Sequence, residues 1–179
     1  MTMSSQSEPQ VLISRQEIEA MVKKLAAEIS EHYRDKNPLL VGILKGSFIF
    51  MADLVRLLDF HLEVDFVRLS SYGSGKESSG EVKVVQELST QVRGRNVLVV
   101  EDIVDTGRSV AFLMDYLQKR EPASLKLCVL TDKPSRRQVP VTIDYPGFTV
   151  PDKFLVGYGL DWDEKFRNLP DICALGDDK

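Results

Sequence analysis

Apolar and polar positions along the chain recur with periods that predict interleaved helices and strands. Residues 14–17 have the form of a helix-capping box, and apolar residues follow at helical spacing over residues 18–29. The uninterrupted apolar run 39–44 predicts a strand that is buried on both faces, and Ser47 is placed to cap the next helix. The buried face of that helix is expected to comprise Phe48, Met51, Leu54, Val55 and Leu58.

Two alternating segments flank a long polar stretch. Residues 62–69 and 81–85 alternate as strands do, and residues 70–80 between them are dominated by serine and glycine. We therefore expect two antiparallel strands that carry a long loop. Loops of this length tend to be lids or binding elements, although a hairpin loop without a role is the alternative.

The rest of the chain predicts more core strands. The apolar runs 97–100, 125–130 and 154–158 read as strands. Strands that alternate with helices indicate an α/β fold, in which a mostly parallel, twisted sheet carries helices on both faces. The helix that follows the first of these runs is expected to pack on the sheet through Val110, Leu113, Met114 and Leu117.

Composition narrows the class of protein. The 179 residues include 43% hydrophobic residues, which suits a single globular domain over residues 1–179. The formal charge of −4 argues against a protein that coats nucleic acid, and no apolar window is long enough to span a membrane. The first ten residues lack a basic start and an apolar stretch, so we expect a cytoplasmic protein without a signal peptide. Cys128 and Cys173 lie in apolar runs and are expected to be free, buried thiols.

Four polar turns follow the predicted strands, at residues 44–47, 101–109, 131–137 and 159–167. Ligands of parallel sheets bind at the carboxyl ends of the strands, where these turns should meet. Within 131–137, the pair Arg136 and Arg137 is interpreted as solvated charge.

The turn at 101–109 carries the strongest chemical signal. Residues 105–109 combine a glycine, two hydroxyls and the start of a helix, which is typical of a phosphate-binding loop. Glu101 and Asp102 are expected to leave the strand end as adjacent carboxylates, whose repulsion would be relieved by Mg2+ and ribose hydroxyls. The alternative is a capping Asp105 with incidental surface acids. A P-loop and a complete dinucleotide fingerprint are absent from the sequence, and the two histidines stand alone, which argues against a zinc site.

These motifs carry a resemblance to a known family. V-V-E-D-I-V-D-T-G-R-S at 99–109 resembles the fingerprint of the type I phosphoribosyltransferases. I-L-K-G-S at 43–47, S-S-Y-G-S-G at 70–75 and the segment 151–170 are similar to the hypoxanthine-guanine branch, particularly its short bacterial forms. The resemblance implies the type I phosphoribosyltransferase fold: a core at about 37–150, a small hood built from about 10–36 and 151–176, and a flexible antiparallel flap.

The resemblance also implies an activity. Such enzymes convert hypoxanthine and guanine, with 5-phosphoribosyl-1-pyrophosphate and Mg2+, to IMP and GMP plus pyrophosphate in purine salvage. Asp105 matches the acid that accepts the purine N7 proton, with a modest acid–base contribution. The residues implied to bind phosphoribosyl pyrophosphate are Leu44, Lys45, Gly46, Glu101, Asp102, Asp105, Thr106, Gly107, Arg108, Ser109 and Arg167.

Other residues are implied to bind the purine or the metal. Lys133 matches a base-selecting lysine; an ammonium can only donate, so it favours an oxygen at purine position 6 over the amino group of adenine. The implied purine site comprises Lys133, Phe154, Leu155 and Asp161; the flap pair is Ser71 and Tyr72; the implied Mg2+ ligands are Glu101, Asp102 and Asp161. In the family the peptide between Leu44 and Lys45 can be cis.

Several alternatives stay open at this point. Lys45 could be a solvated lysine, Phe154 a core residue, and Trp162 a base-flanking, interface or core residue. A pyrimidine-operon RNA-binding regulator on the same fold, or a xanthine-preferring enzyme, would share most of the motifs. The resemblance further implies a homo-oligomer, a dimer or tetramer, with small-molecule substrates and no nucleic-acid or membrane partner.

Overall fold

A computed structural model of the protein describes residues 8–71 and 82–176. Most of the predicted loop at 70–80, including Tyr72, lies outside the described residues. The helices are α1 (Arg15–Tyr33), α2 (Phe48–Val55) and α3 (Arg108–Gln118), and a short 3-10 helix covers Pro134–Arg136. The strands are β1 (Gln10–Ile13), β2 (Leu39–Leu44), β3 (Glu63–Ser71), β4 (Val82–Gln86), β5 (Asn96–Val104), β6 (Ser124–Asp132), β7 (Tyr145–Thr149), β8 (Leu155–Val156) and β9 (Ile172–Ala174).

The main sheet confirms the predicted fold class. It has six strands in the order β4-β3-β2-β5-β6-β7, and β3, β2, β5, β6 and β7 run parallel. Strand β4 lies antiparallel to β3, as predicted for the pair that flanks the long loop. The carboxyl ends of β2, β5 and β6 therefore lie side by side at one edge of the sheet.

Alternate residues of the central strands face two separate cores. Leu40, Leu98 and Cys128 pack with α1 and α2 on one face, while Leu39 and Val97 pack with α3 on the other. Helices thus cover both faces, as the continuous apolar runs predict. Both cysteines are free and buried, which confirms their interpretation as small apolar residues.

The prediction of a core strand at 154–158 is wrong. The strand there, β8, has only two residues and belongs to a separate three-stranded sheet in the order β1-β9-β8. Positive φ angles at Gly157 and Tyr158 turn the chain immediately after it. The outermost strand of the main sheet is instead β7, where Pro146 and Gly147 weaken the strand signal; proline is tolerated there because the strand lies at an edge.

The predicted capping and burial pattern of α2 also needs correction. Ser47 occupies the N-cap position, but its hydroxyl donates to the Ile43 carbonyl oxygen at 2.7 Å and makes no cap hydrogen bond. Phe48 is 43% exposed, whereas Phe50 is fully buried together with Met51 and Leu54. The helix ends at Val55, so Leu58 reaches the core from the turn that follows it.

The capping box at the start of α1 is confirmed. Ser14 Oγ accepts from the Glu17 N–H, and Glu17 Oε2 accepts from the Ser14 N–H at 2.8 Å. None of the helices within residues 8–71 and 82–176 combines the length and apolar character that a membrane span requires.

We expect Ser14→Ala to lower the free energy of unfolding by about 1 kcal/mol, because it leaves the Glu17 N–H in the first turn of α1 without its acceptor. Urea unfolding followed by circular dichroism measures the change. Ser30→Ala is the matched control in the same helix, since the Ser30 hydroxyl donates only to the Ala26 carbonyl and supports no helix end. An equal loss in both variants would contradict the capping argument.

Candidate active site

Two adjoining clefts lie at the carboxyl edge of the main sheet. The larger has a volume of about 650 Å³, and each of the four polar turns contributes to its walls. The smaller has a volume of about 270 Å³ and lies over the start of α3. Asp102, Ile103 and Asp105 line both clefts, so the end of β5 forms their junction.

The smaller cleft is built around the loop that precedes α3. Gly107 is the N-cap residue with φ of +85°, and a Cβ there would lie 2.7 Å from the Val139 carbonyl oxygen. The Thr106 carbonyl accepts from the Gln138 and Val139 N–H groups, which fixes the loop against the neighbouring segment. Thr106, Gly107 and Ser109 line the cleft at the start of α3, and a helix start is suited to phosphate.

The side chain of Arg108 does not line either cleft. Arg108 is exposed, and its N–H lies 3.4 Å from Thr106 Oγ1, the acceptor of its backbone hydrogen bond. Its contribution to phosphate binding through the backbone stays a prediction.

The interpretation of Arg136 and Arg137 as solvated charge is wrong for Arg137, whereas the Arg136 side chain is 49% exposed. Arg137 is only 19% exposed; its guanidinium pairs with Asp132 and donates through Nε to the Asp105 carbonyl oxygen. Arg136 Nε lies 3.0 Å from Asp105 Oδ1, and Arg136 Nη1 lies 3.6 Å from Asp152. The two arginines therefore support the loop at Asp105 from the adjacent turn.

Asp105 presents an unsatisfied acceptor at the junction of the clefts. Its Oδ1 atom is shielded from solvent, and the contact with Arg136 lacks the alignment of a hydrogen bond. Among the described residues, no group donates a hydrogen bond to this atom. Because buried acceptors are normally hydrogen-bonded, the arrangement fits a donor supplied by a ligand.

Glu101 and Asp102 lie inside β5, which corrects the expectation that they leave the strand end. The strand continues to Val104, and the two residues are only 6% and 7% exposed. Glu101 Oε1 accepts from the Asp102 N–H at 3.1 Å. Burial, reinforced by the neighbouring Asp102 carboxylate, raises the pKa of Glu101 well above its ordinary value.

The chemistry of this carboxylate pair fits Mg2+. Within residues 8–71 and 82–176 neither side chain forms an ion pair with a lysine or arginine, although both are buried. The same residues contain no group of three or more candidate metal ligands. Mg2+ commonly takes one or two carboxylates and completes its shell with water and substrate oxygens, which is what a pair without a third protein ligand suits.

The turn after β2 brings Lys45 and Gly46 into the larger cleft. The peptide between Leu44 and Lys45 is cis. Lys45 Nζ donates to Glu164 Oε2 at 2.9 Å, so the side chain is exposed but has a specific partner in the cleft. Gly46 packs directly on the Asp102 carboxylate, because a Cβ at Gly46 would lie 2.0 Å from Asp102 Oδ2.

Arg167 also lines this cleft and has one donor without an acceptor in the described part of the chain. Its Nη1 donates to the Gly159 carbonyl at 2.8 Å, and its Nη2 lies 2.9 Å from Asp161 Oδ1. Arg167 Nε is buried and has no hydrogen-bond acceptor among the described residues. Asp161 Oδ2 accepts from the Glu164 N–H, so both of its oxygens are engaged and its role toward Mg2+ stays a prediction.

The end of β6 supplies a buried lysine to the larger cleft. Lys133 is 6% exposed, and its ammonium donates to the Lys153 carbonyl oxygen at 2.8 Å. Phe154 lines the cleft and is 53% exposed, which excludes the core interpretation. Leu155 is buried beside it in β8. A donor-only group and an exposed aromatic face therefore meet on one side of the cleft.

Comparisons with known proteins show the family to which this chain belongs. A family model described as a phosphoribosyl transferase domain matches residues 12–163. The hypoxanthine-guanine phosphoribosyltransferase of Streptococcus pneumoniae is 50% identical over 165 residues, which cover 92% of each chain. A crystal structure of a hypoxanthine phosphoribosyltransferase from Staphylococcus aureus superposes with a TM-score of 0.89 at 42% identity, over 93% of this chain and 91% of that one. This chain belongs to the hypoxanthine-guanine phosphoribosyltransferase family.

Not every relative has the length of this chain. It spans 26% of the bifunctional protein TilS/HprT of Listeria monocytogenes, to which it is 49% identical over 165 residues. It also superposes with a hypoxanthine-guanine-xanthine phosphoribosyltransferase at a TM-score of 0.86 and 41% identity, over 98% of this chain and the whole of that one. Members of the phosphoribosyltransferase family with different base ranges thus share this fold.

Two residues near the site differ from what the sequence predicts. Trp162 is 36% exposed, which excludes the core interpretation; it is not among the lining residues of either cleft, and its ring centre lies 5.5 Å from the Lys165 ammonium. Glu164 has no counterpart in the predicted site, because its link to Lys45 spans 119 residues of sequence and no local motif signals it.

Proposed function

We propose that this protein transfers the ribose 5-phosphate group of phosphoribosyl pyrophosphate to hypoxanthine and guanine, which yields IMP and GMP plus pyrophosphate in a Mg2+-dependent reaction. The observation that carries the proposal is the placement of Asp105 where the two clefts join. One cleft offers a phosphate-binding helix start and the other offers Lys133 and Phe154.

In the proposed reaction the purine N9 lone pair forms a bond to the anomeric carbon, and the bond from that carbon to pyrophosphate breaks. Positive charge develops on the ribose and negative charge on the leaving group, so the site must stabilise both. Asp105 Oδ1, which lacks a hydrogen bond, accepts the N7 proton as the purine becomes the nucleophile. Lys133 donates to the oxygen at purine position 6, and Phe154 stacks on the base.

The remaining residues hold the sugar and the leaving group. Thr106, Gly107 and Ser109 bind the 5′-phosphate, while Lys45 and Arg167 meet the pyrophosphate with an ammonium and a guanidinium. Glu101 and Asp102 hold the ribose hydroxyls and would hold Mg2+, which when bound neutralises charge on the leaving group. The flap pair, Ser71 and Tyr72, would exclude water that hydrolyses the sugar phosphate. Ser71 ends β3, and Tyr72 lies outside the described residues.

A steady-state assay with phosphoribosyl pyrophosphate tests the proposal across hypoxanthine, guanine, xanthine, adenine and uracil, each with and without Mg2+. We expect turnover with hypoxanthine and guanine and strong Mg2+ dependence. A preference for adenine or uracil would overturn the assignment, and a preference for xanthine would place the protein with xanthine-preferring enzymes. Cytoplasmic location and homo-oligomeric assembly stay predictions.

Lys133→Gln should raise the KM for hypoxanthine by about 10- to 100-fold, since a charged hydrogen bond contributes about 1.5–3 kcal/mol. The KM for phosphoribosyl pyrophosphate should change less than about threefold, because Lys133 lies in the base half of the site. Lys153→Gln is the matched control: Lys153 lines the same cleft but is exposed, and only its backbone carbonyl meets Lys133. If both variants raise the KM for hypoxanthine equally, general loss of positive charge explains the result and the contact with the base does not.

A further inference from the structure

Glu164 forms ion pairs with Lys45 and Arg167, the two cations that the proposed function assigns to pyrophosphate. Its Oε2 atom lies 2.9 Å from Lys45 Nζ and 3.5 Å from Arg167 Nη2, so one carboxylate oxygen bridges an ammonium and a guanidinium. The two cations come from separate elements, the turn after β2 and the turn before β9. Among the described residues, Lys45 has no other ion pair.

The bridging oxygen does what an oxygen of a bound pyrophosphate would do there. A phosphate oxygen between Lys45 and Arg167 would meet the same two donors, and both cannot occupy one position. The side chains of Glu164 and Lys45 are 64% and 44% exposed, so the pair is solvated and weak enough to exchange with a ligand.

The backbone holds Glu164 in this position. Asp163, Glu164 and Phe166 all have positive φ angles, which non-glycine residues rarely adopt. The Glu164 N–H donates to Asp161 Oδ2 at 2.8 Å, and Asp161 itself pairs with Arg167. The turn therefore presents Glu164 to the cations as part of a network and not as a freely rotating surface acid.

We propose that Glu164 is an affinity-setting residue, an internal competitor that pyrophosphate must displace from Lys45 and Arg167. This inference rests on the proposed function. Its consequence is directional: the carboxylate weakens binding of pyrophosphate, both free and within phosphoribosyl pyrophosphate, and hastens release of the product. It leaves the binding of the purine unchanged, because Lys133 and Phe154 hold the base through other contacts.

Binding of inorganic pyrophosphate to Glu164→Gln, measured by isothermal titration calorimetry, tests this. We expect the Kd to fall about two- to fivefold relative to the unmodified protein, the range that corresponds to one or two exposed ion pairs. The KM for phosphoribosyl pyrophosphate should fall with it, and the KM for hypoxanthine should stay constant. The difference between the two proteins should narrow at high salt, because salt screens the competing pair.

Asp163→Asn is the matched control. It removes the same charge from the neighbouring position of the same turn. The Asp163 side chain is 75% exposed, and its one ion pair among the described residues joins Oδ2 to Lys165 Nζ at 3.7 Å. An equal fall in Kd for both variants, or weaker pyrophosphate binding in Glu164→Gln, would overturn the inference. Lys45→Met separates this result from the proposed function: if it leaves pyrophosphate binding unchanged, the assignment of the cation itself is wrong.

Discussion

Asp105→Asn is expected to lower kcat by about 100-fold, at the lower end of what a positioned proton acceptor contributes. The amide keeps the size of the side chain but removes the negative charge of the carboxylate, whose Oδ1 atom has no hydrogen bond in the unmodified protein. The KM for phosphoribosyl pyrophosphate should change less than about threefold, because the proposed 5′-phosphate site at Thr106, Gly107 and Ser109 is left intact. Steady-state kinetics with hypoxanthine measures both constants.

The control for this variant must separate proton transfer from the loss of a charge near Arg136. Asp152→Asn does so: the Asp152 carboxylate lies 3.6 Å from the same guanidinium and lines the same cleft, but it has no role in the proposed chemistry. We expect a change in kcat of less than about threefold for Asp152→Asn. Retention of kcat within that range by Asp105→Asn would remove the acid–base role.

The parts of this fold that the sequence predicts correctly depend on local patterns. The capping box at Ser14 and the continuous apolar runs of β2 and β6 involve residues close together in sequence, and they appear where expected. Strand β7 escapes prediction because Pro146 and Gly147 suppress its apolar pattern, yet pairing with β6 at the sheet edge is enough to hold it. A strand can therefore be fixed by its neighbour when its own residues favour a turn.

The candidate site shows the same division between local and distant interactions. The loop at residues 105–109 is evident from its glycine and hydroxyls, since the backbone conformation that binds phosphate is local. Burial of Glu101 and Asp102 inside β5 is not evident, because acidic residues rarely continue a core strand unless a ligand or proton compensates them. The contacts of Arg137 with Asp105 and of Glu164 with Lys45 join distant segments, so no spacing rule signals them.

Gly46→Ala is expected to lower kcat/KM for phosphoribosyl pyrophosphate by about 100-fold, the loss that a displacement of about 1 Å in a catalytic group can cause. The new Cβ would lie 2.0 Å from Asp102 Oδ2 and 2.7 Å from Asp102 Cγ, so the carboxylate must move. The turn cannot retreat instead, because the Gly46 carbonyl packs tightly against the backbone at Gly159. Loss of affinity for Mg2+, measured by calorimetry, should accompany the loss of activity.

Gly94→Ala distinguishes displacement of Asp102 from a general effect of the added methyl group. Gly94 has φ of +71° and open space around its Cβ position, so alanine there is strained but meets nothing. We expect Gly94→Ala to lower the free energy of unfolding by about 1–2 kcal/mol and to leave kcat/KM unchanged. Gly46→Ala should instead lower kcat/KM more than stability, because its backbone φ is not in the left-handed region and its clash is with Asp102, the proposed ligand-binding carboxylate. Unchanged activity in Gly46→Ala would mean that Asp102 can move without cost, and the carboxylate would then have no positional role in binding ribose or Mg2+.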